Sequence, residues 1–179
     1  MARPPGSRAV VVGCGLGDDA VALARRGFTV TAFDVSPTAI AWAQQRSADL
    51  SIGWRVADLL ALPDDLPGAF DLVVEVHTVP WLPGVVRDAA MHAIGGLAAP
   101  GGVVLAVSLV ATDAEVARGW TGPPWPQAPS ELAAYRAAGL ERVALEHPDP
   151  GDEPAMEVRL TWRRGAAGTA AGGGLPVIG

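Results

Sequence analysis

Three glycines and one aspartate are the residues whose types and spacing point most directly to chemistry. Gly13, Gly15 and Gly17 follow one apolar run of the chain, and Asp34 ends the next. Glycine lets the backbone turn sharply and approach a ligand closely, and the N–H groups at a helix start are free to donate. Such a loop binds a pyrophosphate or the polar part of another nucleoside ligand. Asp34 can accept hydrogen bonds from both hydroxyls of a ribose.

The glycine spacing separates two nucleoside ligands. The dinucleotide fingerprint G-x-G-x-x-G requires glycine or alanine at position 18, where this chain has Asp18. An acidic side chain there repels a pyrophosphate, whereas S-adenosylmethionine (SAM) has no phosphate. The pattern therefore favours SAM over NAD. The remaining alternative is a glycine turn that only makes room for the chain.

A second group of reactive side chains follows the apolar run at residues 70–76. His77 can act as a general base, which a neutral oxygen or amine acceptor needs and a soft or ionised nucleophile does not. It can equally hydrogen-bond the backbone of its loop. Glu75 can bind an amino group or a cationic substrate, or can be a structural carboxylate satisfied by neighbouring N–H groups.

Three tryptophans lie in segments without regular periodicity: Trp81, Trp120 and Trp125. They can form the wall of an apolar acceptor pocket, or stabilise a sulfonium through their ring faces. The alternative is that they cover the edge of the sheet. His92 and His147 have no partners at ligand spacing, so the sequence predicts no metal site.

Composition limits the classes of function. The chain has 179 residues, half of them hydrophobic, and a net charge of −6. This length suits one α/β domain, and the acidic balance argues against a nucleic-acid partner. The single cysteine fits a reducing compartment, and no segment approaches the roughly 20 apolar residues of a membrane span. We therefore expect a cytoplasmic protein with no membrane partner.

Strand and helix patterns alternate along the first two thirds of the chain, and these elements must position the residues above. Alternation of this kind predicts a parallel sheet with helices on both faces, and ligands bind at the carboxyl ends of its strands. The glycine loop, Asp34, Asp58 and the segment 75–78 all fall at such ends. The predicted strands are 9–12, 28–33, 51–56, 70–76, 103–109, 140–146 and 156–162; the predicted helices are 18–26, one opened by Ser36 and Pro37, one containing 85–97, and 130–138.

The ends of the chain and one internal segment are predicted to be irregular. Residues 1–7 form a short arm before the domain at 8–164, and the Gly/Ala-rich residues 165–179 form a disordered tail. Residues 120–129, rich in Pro and Trp, cannot be regular structure. The turn at 100–102, Pro-Gly-Gly, leads into the fifth strand.

Five segments together resemble the class I SAM-dependent methyltransferases. Residues 11–17 (VVGCGLG) resemble motif I of that family, 32–36 (AFDVS) its second motif and 57–59 (ADL) its adenine-binding turn. Residues 70–75 (FDLVVE) and 100–102 (PGG) are similar to its fourth-strand motif and to the turn before strand five. The resemblance implies a Rossmann-like three-layer α/β/α sandwich with a mostly parallel seven-stranded sheet and an antiparallel last strand.

The same resemblance implies a role for each site residue. The glycine loop would pass under the methionine part of SAM, Asp34 would hold the ribose, Asp58 would bond the adenine amino group, and Leu59 would pack on the ring. His77 and Glu75 would lie beside the transferred methyl as the catalytic pair. The full set expected at the cofactor is Gly13, Cys14, Gly15, Leu16, Gly17, Asp34, Val35, Asp58, Leu59 and Glu75, and that expected at the acceptor is Trp81, Trp120 and Trp125.

The implied function is in-line methyl transfer from SAM to a sulfur, oxygen or nitrogen atom of a small-molecule acceptor. A narrower resemblance, to the thiopurine and tellurite-resistance type, rests on residues 122–126 (GPPWP) and on the compact length. Two departures support an alternative, a SAM-binding domain that is non-catalytic or depends on a partner. Val11 replaces an acidic residue common in the family, and only residues 1–8 precede the first predicted strand, where covering helices are usual. A nicotinamide-dependent oxidoreductase is a third interpretation. The sequence does not indicate the oligomeric state.

Overall fold

The computed structural model describes residues 6–147 and 157–166. The strands are β1 (Arg8–Val12), β2 (Thr29–Asp34), β3 (Ile52–Val56), β4 (Phe70–Val76), β5 (Ala98–Leu109), β6 (Leu140–Glu146) and β7 (Glu157–Arg164). The helices are α1 (Asp18–Arg25), α2 (Pro37–Arg46), α3 (Gly84–Leu97), α4 (Asp113–Ala117) and α5 (Ala133–Ala137). Two single 3₁₀ turns lie at Leu59–Ala61 and Val79–Trp81.

The strands form one seven-stranded sheet in the order β3-β2-β1-β4-β5-β7-β6. The first five strands pair in parallel, and β7 runs antiparallel to both β5 and β6. The order reverses between β1 and β4, which is where open α/β sheets leave a crevice for a ligand. The expected Rossmann-like three-layer fold, with its antiparallel last strand, is confirmed.

Apolar side chains on both faces of the sheet hold the three layers together. On one face, α3 and α5 cover a large cluster that includes Val73, Met91 and Trp162. On the other face, α1 covers a smaller cluster that includes Val11 and Ala20. Because both faces are covered, the central strands β1 and β4 are apolar along nearly their whole length. Their carboxyl ends are the places left for polar side chains.

Helix boundaries follow local chemistry. The side chain of Ser36 accepts a hydrogen bond from the Ala39 N–H, and Pro37 occupies the first turn of α2, as expected from the Ser-Pro pair. Asp18 and Asp19 lie in the first turn of α1, at the positive end of the helix dipole.

The structure departs from the sequence expectations in the second half of the chain. Strand β5 begins at Ala98, so the Pro-Gly-Gly turn lies inside it; the register slips between the pairs Phe70–Ala98 and Leu72–Val103 and absorbs the extra residues. Helix α5 is shorter than predicted. Helix α4 was not predicted, although Thr112 and Glu115 form a capping box at its start.

Some sequence expectations lie outside the described residues. They include most of the predicted tail at 165–179, the first five residues of the arm, and Met156 at the start of the last predicted strand. No helix among the described residues is long and apolar enough to cross a membrane.

Candidate active site

A cavity of about 490 Å³ opens at the carboxyl edge of the sheet, where β1, β2, β3 and β4 end. Its walls combine apolar side chains with a few polar groups. The described residues that line it are Val12, Gly13, Phe33, Asp34, Val35, Ala57, Asp58, Leu59, Leu60, Val76, His77, Thr78, Trp81 and Leu82.

The glycine loop joins β1 to α1 through left-handed backbone. Gly13, Gly15 and Gly17 have φ angles of 58°, 51° and 89°, which only glycine adopts without strain. A Cβ at Gly13 would lie 2.5 Å from the Thr78 Oγ1, and one at Gly17 would run into the ring of Trp54. Gly13 is the part of the loop that lines the cavity; Cys14, Gly15, Leu16 and Gly17 do not.

Asp34 ends β2 and ties the loop to the next helix. Its Oδ2 accepts a hydrogen bond from the Gly15 N–H at 2.9 Å, and its Oδ1 accepts one from the Ser36 N–H at 2.9 Å. The side chain is half-buried and lies in the cavity wall with Val35. A carboxylate has about four acceptor positions, so two remain for hydroxyl groups of a ligand.

Asp58 and Leu59, just past the end of β3, also line the cavity. Asp58 caps the 3₁₀ turn after β3, since its Oδ1 accepts a hydrogen bond from the Leu60 N–H at 2.8 Å. Leu59 is buried, whereas Leu60 and Val35 are exposed apolar side chains on the rim of the cavity. The arrangement offers an acceptor group beside flat apolar surface, which suits a heteroaromatic ring.

Glu75 is completely buried in β4 and is not among the residues that line the cavity. The strand alternates, so Glu75 shares its face with Val73 and points into the core under α3 and α5. Its Oε1 accepts hydrogen bonds from the N–H groups of Thr78 and Val79, at 2.6 and 3.0 Å. Its Oε2 has no hydrogen-bond partner among the described residues. Burial raises the pKa of this carboxyl to about 7, against the two N–H bonds that lower it. The expected placement of Glu75 beside the reacting methyl stays a prediction.

His77 lines the cavity in an unusual backbone conformation. Its φ is 57°, the one positive value among the described residues other than glycine. Its N–H donates to the Val107 carbonyl at 2.8 Å, which joins the end of β4 to β5. Its Nε2 lies 2.9 Å from the Glu157 Oε2. Thr78 follows and donates its hydroxyl to the Val12 carbonyl at 3.1 Å.

The three loop tryptophans separate. Trp81 lines the cavity and is 58% exposed. Trp120 and Trp125, in the segment 118–132, do not line it, although the Trp125 N–H donates to the Pro80 carbonyl at 2.7 Å. The buried Arg87 of α3 holds that segment by donating hydrogen bonds to the carbonyls of Trp125 and Pro126.

The remaining reactive groups have structural explanations. Burial, with the charge of Asp34 adding to it, raises the pKa of the Cys14 thiol to about 12, which leaves the thiol unreactive. Among residues 6–147 and 157–166, no three His, Cys, Asp or Glu side chains are grouped as a metal site would require.

The charges of the cavity decide between the two nucleoside ligands. Asp34 and Asp58 line it, and no arginine does among the described residues. A pyrophosphate would meet two carboxylates and no cation, whereas the sulfonium, ribose and adenine of SAM suit carboxylate acceptors and apolar walls. The residues present therefore fit SAM.

Sequence reasoning missed several residues of the cavity. Phe33 and Leu82 lie next to predicted site residues and line it, and their apolar character gave no separate signal. Glu157 has no local signal at all, because its contact with His77 spans a sequence separation that only the folded sheet closes.

Comparison with known proteins identifies the family of the chain. Residues 9–102 match the family model described as "Methyltransferase domain". The ubiquinone biosynthesis O-methyltransferase of Xanthomonas campestris pv. campestris (strain B100) is 32% identical over 154 residues, covering 76% of this chain and 64% of that protein. The chain spans between 44% and 64% of the length of the curated relatives named first, from Azotobacter vinelandii and Xanthomonas campestris.

Solved structures share the fold. The N-methyltransferase NodS of Bradyrhizobium japonicum, in complex with S-adenosyl-L-homocysteine, superposes with a TM-score of 0.72 at 24% identity, covering 89% of this chain and 79% of that one. A TehB-like SAM-dependent methyltransferase of Corynebacterium glutamicum gives a TM-score of 0.67 at 21% identity, covering 90% and 82%. At these identities the likeness concerns the fold alone and leaves the narrower thiopurine and tellurite-resistance resemblance undecided.

The chain belongs to the methyltransferase-domain family, in its class I, SAM-dependent form. Its cofactor is S-adenosylmethionine.

Proposed function

We propose that this chain transfers a methyl group from SAM to a hydroxyl oxygen of a small, uncharged aromatic acceptor. The observation that carries the proposal is the cavity itself. Asp34 and Asp58 lie in one part of its wall, and His77 and Trp81 in another, at one edge of the sheet. When bound, SAM supplies an electrophilic methyl group.

On the cofactor side, three groups hold distinct parts of the ligand. Gly13 lets the chain pass close to the methionine part, and the two open acceptor positions of Asp34 bind the ribose hydroxyls. Asp58 accepts a hydrogen bond from the adenine amino group, and Leu59 packs on the ring. Cys14, Gly15, Leu16 and Gly17 keep the loop in shape rather than lining the cavity.

On the acceptor side, the wall is apolar apart from His77 and Thr78. Trp81 and Leu82 offer a surface on which an aromatic ring can stack. No arginine among the described lining residues would balance an anionic acceptor. His77 supplies a base for the hydroxyl proton, and alignment by the walls supplies much of the rate. The name of the Xanthomonas relative, a ubiquinone biosynthesis O-methyltransferase, agrees with an oxygen acceptor.

The exposed rim favours a second candidate, a SAM-binding domain that turns over only when a partner covers it. Val35, Leu60 and Trp81 are 70%, 47% and 58% exposed, although all three are apolar and line the cavity. In that case binding of the cofactor would not require the partner, but exclusion of water from the acceptor would.

A methyl-transfer assay with matched acceptors tests the proposal. The purified chain is incubated with methyl-labelled SAM and catechol, thiophenol, benzylamine or 3,4-dihydroxybenzoate, and the labelled product and S-adenosylhomocysteine are measured. We expect methylation of catechol and, because its carboxylate faces an acidic cavity, slower methylation of 3,4-dihydroxybenzoate by about 10-fold or more.

Two results would contradict O-methylation. Preference for the thiol or the amine over catechol would assign a different acceptor atom. Binding of S-adenosylhomocysteine without methylation of any acceptor would favour the partner-dependent candidate.

A further inference from the structure

The side chains of His77 and Glu157 meet across the end of a strand that separates their own strands. His77 follows β4 and Glu157 begins β7, while β5 lies between them in the sheet. Their 2.9 Å contact joins Nε2 to a carboxylate oxygen. The two side chains are 35% and 39% exposed, so the pair lies at the surface of the sheet edge, where the cavity opens.

The backbone at His77 is arranged to allow this contact. A left-handed φ costs an ordinary residue roughly 1–2 kcal/mol, and such strain persists where the surrounding structure fixes it. The hydrogen bond from the His77 N–H to the Val107 carbonyl of β5 provides that fixation. This backbone conformation interrupts the alternation of side chains between the two faces of the sheet at the end of β4. The imidazole therefore lies in the cavity wall and within reach of Glu157.

A carboxylate beside Nε2 determines which ring nitrogen of the neutral imidazole carries the proton. With the Glu157 carboxylate 2.9 Å from Nε2, the neutral imidazole is favoured to carry its proton on Nε2 and to keep its lone pair on Nδ1. Among residues 6–147 and 157–166, Glu157 pairs with His77 and with no arginine.

We propose that Glu157 is a positioning residue that holds His77 in the Nε2–H tautomer, with Nδ1 as the base for the acceptor hydroxyl. This inference rests on the proposed O-methylation. The acceptor oxygen forms its bond to the methyl carbon as the carbon–sulfur bond of the sulfonium breaks, which leaves a neutral thioether. The hydroxyl proton passes to Nδ1 of His77, and from the half-exposed ring it leaves to solvent.

Histidine NMR tests the pair without any acceptor. The chain has three histidines, and a His77→Asn variant assigns the His77 ring signals, since Asn tolerates the left-handed backbone. We expect the wild-type ring to show the Nε2–H tautomer, and Glu157→Ala to convert it to a mixture of both. Glu157→Gln should retain it, because the amide oxygen can still accept from Nε2–H.

A neighbouring carboxylate is the matched control. Glu146 on β6 accepts from the Arg159 Nε at 2.9 Å, is 49% exposed and does not line the cavity. Glu146→Gln should leave the His77 signals unchanged. Identical His77 signals in wild type and Glu157→Ala would overturn the inference.

Kinetics with catechol separate this inference from the proposed function. At saturating SAM, Glu157→Ala should lower kcat by about 10- to 100-fold, in the range that an orienting partner contributes, with the KM for catechol within about twofold of wild type. The kcat of Glu157→Gln should fall between those of wild type and Glu157→Ala, and the kcat of Glu146→Gln should equal that of wild type. Full kcat in Glu157→Ala would overturn the positioning role while O-methylation stands. No methylation of catechol by the wild type would instead refute the proposed function and the base role with it.

Discussion

The two halves of the cavity edge differ in how their carboxylates are used. Asp34 ends β2 and Glu75 lies near the end of β4, and each accepts hydrogen bonds from two backbone N–H groups. Asp34 remains half-buried in the cavity wall, whereas Glu75 is completely buried and does not line the cavity. The same chemical group therefore remains accessible from the cavity in one half and is an internal brace in the other.

Strand geometry explains this difference. Asp34 is the last residue of β2, whereas Glu75 precedes the end of β4 and accepts its hydrogen bonds from the turn that follows the strand. In the half formed by β1, β2 and β3, the site consists of short local turns that begin where the strands stop. In the half formed by β4, β5 and β7, the site depends on contacts between segments far apart in the chain, such as those of Arg87 and Glu157. The following predictions separate the two halves.

The largest effect is expected from Arg87→Met, which affects the second half alone. The buried guanidinium donates hydrogen bonds to the carbonyls of Leu82, Trp125 and Pro126. Its loss leaves these acceptors without their donor, and we expect the free energy of unfolding in urea to fall by about 4 kcal/mol. Arg136→Met, an exposed change on α5, should cost less than about 0.5 kcal/mol. A loss below about 1 kcal/mol for Arg87→Met would contradict its bracing role.

Glu75→Gln should remove a pH dependence of stability. The pKa of Glu75 is about 7 in the folded chain, against an ordinary value of 4.5. The folded state therefore binds this proton more tightly than the unfolded state does. The stabilisation of the folded chain by this proton is fully present below pH 4.5 and is lost as the pH rises through about 7. Relative to the glutamine variant, the wild type should lose about 3 kcal/mol of unfolding free energy between about pH 4.5 and pH 8.

Urea unfolding of both chains across that pH range measures the difference. Glu141→Gln, an exposed change on β6, should follow the wild type within about 0.5 kcal/mol throughout. A constant difference between Glu75→Gln and wild type would show that Glu75 does not change its charge in this range.

Gly13→Ala tests the contact between the two halves, where Gly13 after β1 lies against Thr78 after β4. The added Cβ would meet the Thr78 Oγ1 at 2.5 Å, at a φ of 58°. We expect a loss of about 2 kcal/mol in unfolding free energy, from left-handed strain and the contact together. In a Thr78→Ala background part of that loss should disappear. Gly53→Ala, whose Cβ would find its nearest neighbour at an ordinary 3.6 Å, should be nearly neutral. Equal losses at Gly13 and Gly53 would contradict the account of the loop.

The smallest effect is expected from Trp81→Ala. Loss of the stacking surface should raise the KM for catechol about 10-fold, equivalent to about 1.4 kcal/mol, and leave the Kd for S-adenosylhomocysteine within about twofold. Trp42→Ala is the matched control, since Trp42 is 57% exposed and does not line the cavity. A change in cofactor affinity without a change in KM would assign Trp81 to the cofactor half.

The same division describes what the sequence could predict. The strands at 70–76 and 140–146 have the predicted boundaries, because apolar runs bounded by turns determine them locally. The glycine loop and Asp34 were recognisable because motif spacing encodes their turn. Trp120, Trp125 and Glu157 were not predictable in position, since α3 and the order of β5, β7 and β6 decide where they lie. Glu75 was expected at the cofactor because its strand position was clear, whereas its complete burial was not.

Calorimetric titration with S-adenosylhomocysteine tests the central claim most directly, using the wild type, Asp34→Asn and the control Asp49→Asn. Asparagine keeps the shape of the side chain but puts an amide donor opposite one of the two backbone N–H groups. It also removes the charge that we propose binds the ribose. Asp49→Asn removes the same charge from an exposed position outside the cavity. We expect micromolar binding to wild type and Asp49→Asn, and affinity lower by about 30-fold or more for Asp34→Asn. Equal affinity of all three chains, or binding of NAD in place of S-adenosylhomocysteine, would contradict the account.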